Sequence, residues 1–209
     1  MANIEVFIQN SIRITSEDRR IYIDPFRMDE EPHDADVVFV THDHYDHYSP
    51  EDIGKVCKDG TVLVIPERMK AKEVNHLVSE IVTVTPGKRY QISGINVDTV
   101  AAYNKHKPFH PRHAGWVGYI FNVDGERIYI AGDTDATDEA LQVRCDTALV
   151  PIGGTYTMDA KKAAELINAI KPKVAIPVHY GSLVGSKDDE LVFAESVKEP
   201  VRVEIKIMG

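Results

Sequence analysis

The segment from Asp36 to Val56 constrains the fold more than any other. It begins with a run that is apolar on both faces, DVVFVT, passes through the polar loop HDHYDHY and reaches a helix signal, SPEDIGKV. A strand without polar alternation is typical of a strand buried on both sides of an α/β sheet. Ser49 is the expected N-cap, Pro50 suits the first helical position, and Asp52 completes a capping box. We therefore expect an α/β protein with this loop at a strand end.

The rest of the chain alternates short strand-like runs with a few helix-like runs. Further strands are predicted over the Ile- and Val-rich runs IEVFI, SIRIT, RIYID, TVLVI, EIVTVT, INVDTVAAY, GWVGYIFNV, ERIYIAG, DTALVP, KVAIPV and VRVEIKI. Helices are predicted over PERMKAKEVNHL and over the alanine-rich MDAKKAAELINAI. Because no linker, repeat or low-complexity tract separates these runs, we predict one domain over residues 1–209.

Composition narrows the class of partner. The 209 residues suffice to bury a core, and a net charge of -9 argues against a nucleic acid partner. Cys57 and Cys145 lie far apart and outside any C-x-x-C spacing, so we expect free thiols in a reducing cytoplasm. The chain shows no signal peptide and no apolar run of membrane-spanning length, so no membrane partner is expected. A homo-oligomer is left open.

Four candidate metal ligands crowd into six positions of the polar loop. They are His42, His44, Asp46 and His47. Imidazole and carboxylate groups suit zinc, iron or manganese. Four ligands from one short loop cannot all converge on one small ion, so two ions that share the loop are the simpler geometry. The alternative is a polar loop of ordinary histidines.

Further ligands are expected at other strand ends. Asp133 follows the run YIAG, and His179 follows the run AIPV. Each has a structural alternative on its own, an Asx-turn for the aspartate and a core role for the histidine. A second cluster, NKHKPFHPRH, offers His106, His110 or His113 as a seventh ligand.

Together these motifs resemble the metallo-β-lactamase superfamily. The resemblance rests on H-x-H-x-D-H, a later histidine, G-D-T and a strand-end histidine, and the run IYIDPF matches a first motif through Asp24. The runs AAYN, FHP, GWVGY, GGTYTMDA and IPVHYG are similar to a small group of metal-dependent hydrolases that includes ascorbate-6-phosphate lactonase. The resemblance covers the chain from about residue 4 to about residue 190.

The resemblance implies a four-layer αβ/βα sandwich with a two-metal cleft at one edge. One ion would be held by His42, His44 and a third-motif histidine, for which the FHP context favours His110, with His106 and His113 as alternatives. The other ion would be held by Asp46, His47 and His179, with Asp133 as the bridge between the two ions. Asp24 would brace the ligand loops from behind, although a turn aspartate before Pro25 is the alternative.

Such a site favours hydrolysis. Two divalent cations, zinc first with manganese or iron as alternatives, would share a hydroxide that attacks an ester, lactone or phosphodiester. Asp133 would orient this nucleophile, and Asp46 would also pass a proton to the leaving group. The competing class is a non-catalytic metal-binding protein or an iron redox protein on the same fold.

The substrate is expected to be a small, anionic molecule. Lys105, Lys107 and Arg112 surround His110 in an otherwise acidic chain, and Tyr156 is expected to face the same cleft. Solvated lysines on a surface loop are the alternative for the basic residues.

Overall fold

Two mixed β-sheets lie face to face in the structure, a computed structural model that describes residues 2–207. The first sheet contains β1 (Asn3–Val6), β2 (Ile12–Thr15), β3 (Arg20–Ile23), β4 (Ala35–Phe39), β5 (Cys57–Pro66) and β6 (Glu80–Val84) in that spatial order. Strands β1 to β3 pair antiparallel, and β3 to β6 pair parallel.

The second sheet follows in sequence. It contains β7 (Arg89–Ile92), β8 (Ile95–Ala101), β9 (Val117–Val123), β10 (Glu126–Ile130), β11 (Thr147–Pro151), β12 (Val174–Val178) and β13 (Arg202–Val203), again in chain order across the sheet. Strands β7 to β10 pair antiparallel, and β10 to β13 pair parallel. As a result of the parallel crossovers, the carboxyl ends of β4, β10 and β12 lie at one edge of the sandwich.

Within residues 2–207, three α-helices cover the outer faces of the sheets: α1 (Pro50–Val56), α2 (Ala160–Ile170) and α3 (Asp189–Ser196). Helix α1 begins as the capping box predicts, because the Ser49 hydroxyl accepts a hydrogen bond from the Asp52 amide at 3.3 Å. Helix α2 begins at an aspartate cap, where Asp159 accepts from the Lys162 amide at 2.8 Å.

The core is divided into three apolar layers. The central layer lies between the two sheets, where the Phe39 ring packs 4.8 Å from Phe121 and 5.1 Å from Tyr119. An outer layer joins α1 to the first sheet, and another joins α2 and α3 to the second sheet. This order of helix, sheet, sheet and helix confirms the predicted α/β sandwich.

Some predicted elements were wrong. The run PERMKAKEVNHL forms no α-helix; β5 ends at Pro66, and a single 3₁₀ turn follows at Lys72–Val74. Its buried residues Met69, Ala71 and Val74 are spaced two and three apart, which does not give the stripe that an amphipathic helix buries. In VRVEIKI, only Arg202–Val203 forms a strand.

Helix α3 was not predicted. Of its eight residues only Phe193 is buried, so its sequence carries almost no apolar period. Within residues 2–207, no helix combines the length and the apolar character needed to cross a lipid bilayer.

Candidate metal centre

Seven imidazole and carboxylate side chains converge at one edge of the sandwich, where strands that run in the same direction end. They are His42, His44, Asp46 and His47 after β4, His110 after β8, Asp133 after β10 and His179 after β12. The tight turn before Asp133 requires glycine, because Gly132 has φ +64° and a Cβ there would lie 3.1 Å from that of Thr41. Ligand atoms of all seven predicted residues thus meet at one edge of the sandwich.

One half of the centre contains three histidines. His42, His44 and His110 place one ring nitrogen each within 4.8 Å of the others. The His42 Nε2 and His44 Nδ1 atoms are 3.0 Å apart. His42 and His110 are buried, while His44 is half-buried. These three histidines are the set that the family resemblance implies for one ion.

The other half contains Asp46, His47 and His179, whose ligand atoms also lie within 4.8 Å of one another. The Nε2 atoms of His47 and His179 are 3.1 Å apart, and Asp46 Oδ2 lies 3.2 Å from His179 Nε2. These are the three residues that the family resemblance implies for the other ion.

Asp133 lies between the halves and directs one oxygen to each. Its Oδ2 atom is 3.2 Å from His110 Nε2, and its Oδ1 atom is 3.3 Å from His179 Nε2 and 3.4 Å from His47 Nε2. A single carboxylate with this placement has the geometry of a bridging ligand.

Two buried polar atoms in the centre test whether a metal fits. His110 Nε2 and Asp133 Oδ1 are buried without a hydrogen-bond partner. An unsatisfied buried polar atom costs about 1–3 kcal/mol, so such atoms are rare in folded proteins. Coordination of divalent ions would satisfy both, and the five imidazoles and two carboxylates are donors of the kind that zinc accepts.

Asp24 braces the second half from behind. One of its oxygens accepts a hydrogen bond from His47 Nδ1 at 2.7 Å, from the Thr41 hydroxyl at 2.6 Å and from Asn10 Nδ2 at 2.7 Å. The other oxygen accepts from the Thr41 amide at 2.7 Å. Because His47 donates through Nδ1, Nε2 is the ring nitrogen that faces the half-site. This is the bracing position that the family resemblance implies for Asp24.

Asn104 holds His110 in a similar way. Its side-chain oxygen lies 3.0 Å from His110 Nδ1 and accepts from the His110 amide at 3.1 Å. Its amide nitrogen donates to the backbone oxygen of Tyr156 at 3.0 Å. His106 and His113 are exposed and belong to neither half-site. Of the three alternatives, the structure therefore brings only His110 to the centre.

Gln9 is a residue of the site that sequence reasoning missed. It follows β1, is fully buried and places its side-chain nitrogen 3.4 Å from His179 Nδ1 and 3.5 Å from Asp46 Oδ2. Its backbone oxygen accepts from the His179 amide at 2.9 Å. Strand β1 runs in the same direction as β3, so a polar residue after β1 reaches the same edge as Asp24. This position after a strand is the sequence signal that could have identified Gln9 as a residue of the site.

Burial and charge together set the protonation states of the centre. Burial, reinforced by the neighbouring His47, holds the pKa of His42 well below its usual value. Burial would also lower the pKa of His47, but the Asp133 and Asp24 carboxylates together outweigh it and raise that pKa well above its usual value. Burial opposes ionisation of Asp46 and Asp133, yet the surrounding histidines, His179 and His47 foremost, together lower the pKa of Asp46 to about 2 and that of Asp133 well below its usual value. Both aspartates are therefore anionic at neutral pH, as metal ligands must be.

A cavity of about 310 Å³ opens over the second half-site. Its floor is formed by His44, Asp46, Asp133 and His179. Its walls are formed by Tyr45, Phe109, Tyr156, Leu183 and Val184. Tyr156 thus faces the cleft as the sequence predicted.

The three basic residues predicted to contact substrate lie outside this lining. The Lys105 ammonium pairs with Asp138 at 3.0 Å, and the Arg112 guanidinium pairs with Glu139 at 2.6 Å. Lys107 donates to two backbone carbonyl oxygens beneath its loop. Each of these cations therefore has a partner of its own in the structure, which argues against their binding an anionic substrate.

Comparison with known proteins identifies the family of this chain. A family model described as a beta-lactamase superfamily domain matches residues 3–179. The chain therefore belongs to the beta-lactamase superfamily.

Curated relatives refine the assignment to a group of hydrolases. A UPF0173 metal-dependent hydrolase of Thermoplasma acidophilum is 34% identical over 78% of this chain and 77% of its own length. One from Thermoplasma volcanium is 30% identical over 84% of this chain and 82% of its own. The protein is thus a metal-dependent hydrolase of the metallo-β-lactamase superfamily.

Solved structures share the fold along the whole chain. A candidate metal-dependent hydrolase from Parabacteroides distasonis, 27% identical, superposes with a TM-score of 0.82 over 100% of this chain and 94% of its own. The metallo hydrolase Igni18 of Ignicoccus hospitalis, 20% identical, superposes with a TM-score of 0.80 over 100% of this chain and 96% of its own. The second likeness supports the fold alone.

Proposed function

We propose that the protein is a binuclear metal hydrolase that cleaves an ester, lactone or phosphodiester bond of a small molecule. The placement of Asp133 carries this proposal, because its two oxygens face the two half-sites 3.2 Å from His110 and 3.3 Å from His179. A carboxylate that is shared in this way supports two ions at a fixed spacing. Zinc is the proposed metal, since five of the seven ligands are imidazoles.

The bound metal would supply Lewis acidity and a more acidic water, which is the chemistry that hydrolysis needs at neutral pH. The residues of the chain provide the remaining functions. His42, His44 and His110 would hold one ion, and His47 and His179 would hold the other with Asp46. Asp24 keeps the His47 imidazole in one tautomer.

Proton transfer falls to Asp46. Its carboxylate lines the cavity, and its Oδ2 atom lies 3.2 Å from His179 Nε2. The carboxylate is ionised at neutral pH, so it is able to accept a proton. We propose that it takes the proton of the attacking water and delivers it to the departing oxygen.

A substrate and metal panel tests the proposal. Purified protein would be stripped with a chelator, reloaded with zinc, manganese or iron, and assayed on 4-nitrophenyl acetate, a δ-lactone and bis(4-nitrophenyl) phosphate. We expect turnover of at least one substrate in the reloaded protein and its loss in both His42→Ala and Asp133→Ala. Turnover retained in both variants would overturn the assignment. A visible iron absorption band with no hydrolysis would favour the redox alternative.

We also propose a cytoplasmic location. Cys57 and Cys145 are both free thiols. Burial raises the pKa of Cys57 to about 11, so this thiol is unreactive. Such thiols suit a reducing compartment.

A further inference from the structure

The walls of the cavity at the metal centre differ in chemistry from its floor. The floor is made of imidazoles and carboxylates, whereas the walls are apolar or aromatic: Tyr45, Phe109, Tyr156, Leu183 and Val184. We propose that the substrate carries, away from its scissile bond, a neutral apolar group that packs against these walls. This inference rests on the proposed hydrolase function and replaces the expectation of an anionic substrate.

Exposed apolar surface is concentrated at this cavity. Among residues 2–207, six large hydrophobic side chains are exposed, and three of them, Tyr45, Phe109 and Tyr156, line it. Tyr45 is 67% exposed, Phe109 41% and Tyr156 40%. Apolar surface gathered around a concave polar floor is typical of a ligand site.

The wall residues are connected to the metal ligands through the chain and through hydrogen bonds. Tyr45 lies between His44 and Asp46 in the chain, and Phe109 directly precedes His110. The Phe109 and Tyr156 rings pack edge to face with centroids 4.7 Å apart. The backbone oxygen of Tyr156 also accepts from Asn104, the residue that holds His110. The aromatic wall is therefore positioned by the same contacts that position the centre.

The charges of the cavity lining argue against an anionic group at the distal end of the substrate. No lysine or arginine lines the cavity among the residues that the structure describes, and the charged lining residues Asp46 and Asp133 are carboxylates. The nearby cations Lys105 and Arg112 are paired with Asp138 and Glu139. A distal carboxylate or phosphate would lose its hydration against the apolar walls without gaining a countercharge.

A matched pair of esters tests the inference by kinetics. 4-Nitrophenyl hexanoate and mono-4-nitrophenyl adipate have the same leaving group and the same acyl length, but the adipate ends in a carboxylate. We expect kcat/KM at least tenfold higher for the hexanoate with the zinc-loaded protein. Tyr156→Ala and Phe109→Ala should each lower kcat/KM for the hexanoate about tenfold and lower it less for the acetate, because the short acyl group does not reach the wall.

A matched control distinguishes the loss of a cavity-wall side chain from the loss of any exposed apolar side chain. Leu191 on α3 is 59% exposed and lies outside the cavity lining, so Leu191→Ala should keep the preference of the unmodified protein. A higher kcat/KM for the adipate, or no change for the hexanoate in both wall variants, would overturn the inference while leaving the hydrolase function intact.

Binding without turnover gives an independent readout. Calorimetric titration of hexanamide and of adipamate into the zinc-loaded protein should show tighter binding of hexanamide, weakened in Tyr156→Ala and kept in Leu191→Ala. Equal or tighter binding of adipamate would contradict the inference. If no ester were hydrolysed while hexanamide still bound at the wall, the proposed hydrolase function would fail and the apolar subsite would stand.

Discussion

The carboxylate of Asp24 lies 2.7 Å from the Nδ1 atom of His47, which fixes the ring nitrogen that faces the metal centre. Asp24 has φ +46°, a conformation that asparagine tolerates, so Asp24→Asn removes the charge without straining the backbone. Because such bracing contacts are worth about 10–100-fold in metal affinity, we expect zinc to bind at least tenfold more weakly in this variant.

Trp116 provides the measurement for this variant. It is the only tryptophan in the chain, and its ring lies 4.9 Å from the rings of His42 and His44. Its fluorescence should follow zinc competition against a chelator. Asp43→Asn is the control, since Asp43 is exposed in the same loop and belongs to neither half-site. Equal zinc affinity in Asp24→Asn and Asp43→Asn would contradict the bracing role.

The choice of His110 over its neighbours leads to a second prediction. His110→Ala should reduce the zinc content from about two ions per chain to about one, because the first half-site retains only two histidines. His113→Ala should keep the full content, since His113 is exposed. Zinc analysis after gel filtration distinguishes the outcomes. Full content in both His110→Ala and His110→Asn would show that another residue completes the shell.

The positions of the metal ligands were predictable for a physical reason. Polar residues directly after apolar strands of one direction meet at one sheet edge, so Asp133 and His179 could be joined to the H-x-H-x-D-H loop without a structure. His110 is nine residues beyond β8, and its place depends on hydrogen bonds to Asn104 that spacing alone does not reveal. Gln9 was missed because its amide carries no metal-ligand signature.

Other features depended on tertiary partners. The sequence places Lys105 and Arg112 beside His110, but the acidic residues that pair with them come from a later segment at Asp138 and Glu139. The sequence alone therefore favoured an anion site in this loop, because the acidic partners of its cations are distant in the chain. Helix α3 was hidden for a related reason, since a helix that buries little needs little apolar pattern.

The ion pairs of Lys105 and Arg112 lead to a third prediction. Lys105→Ala and Arg112→Ala should each leave KM within about twofold for neutral and anionic substrates, because neither cation lines the cavity and exposed ion pairs contribute little. Steady-state kinetics on both substrate types provides the check. A severalfold rise in KM confined to anionic substrates would restore the original expectation that these residues bind substrate.

A fourth prediction concerns Asp52, which joins α1 to the loop after β3. Its carboxylate accepts from the amides of Arg27 and Met28 at 2.9 Å each and from the Ser49 hydroxyl at 2.7 Å. Asp52→Asn should destabilise the metal-free protein by about 1–3 kcal/mol at pH 7, since an amide replaces a buried charged acceptor. Urea unfolding measures the difference.

The effect of Asp52→Asn should depend on pH. Burial opposes ionisation, but the hydrogen bonds from Ser49, Met28, Lys55 and Arg27 together outweigh it, so the pKa of Asp52 is lowered from its usual value of 3.8. A lowered pKa gives stability that is present above the unfolded value and is lost as pH falls through the folded value. The difference in unfolding free energy between the unmodified protein and Asp52→Asn should therefore be constant from pH 5 to 7 and become smaller below about pH 4. A gap that persists unchanged at pH 2.5 would contradict this account.

Metal stoichiometry tests the central claim most directly. Chelator-stripped protein would be titrated with zinc in a calorimeter, with the bound zinc counted by elemental analysis and esterase activity followed in parallel. The bridging position of Asp133 predicts two zinc ions per chain in the unmodified protein and a loss of paired binding in Asp133→Asn. One ion per chain at saturation, or two ions bound equally well by Asp133→Asn, would contradict the binuclear centre.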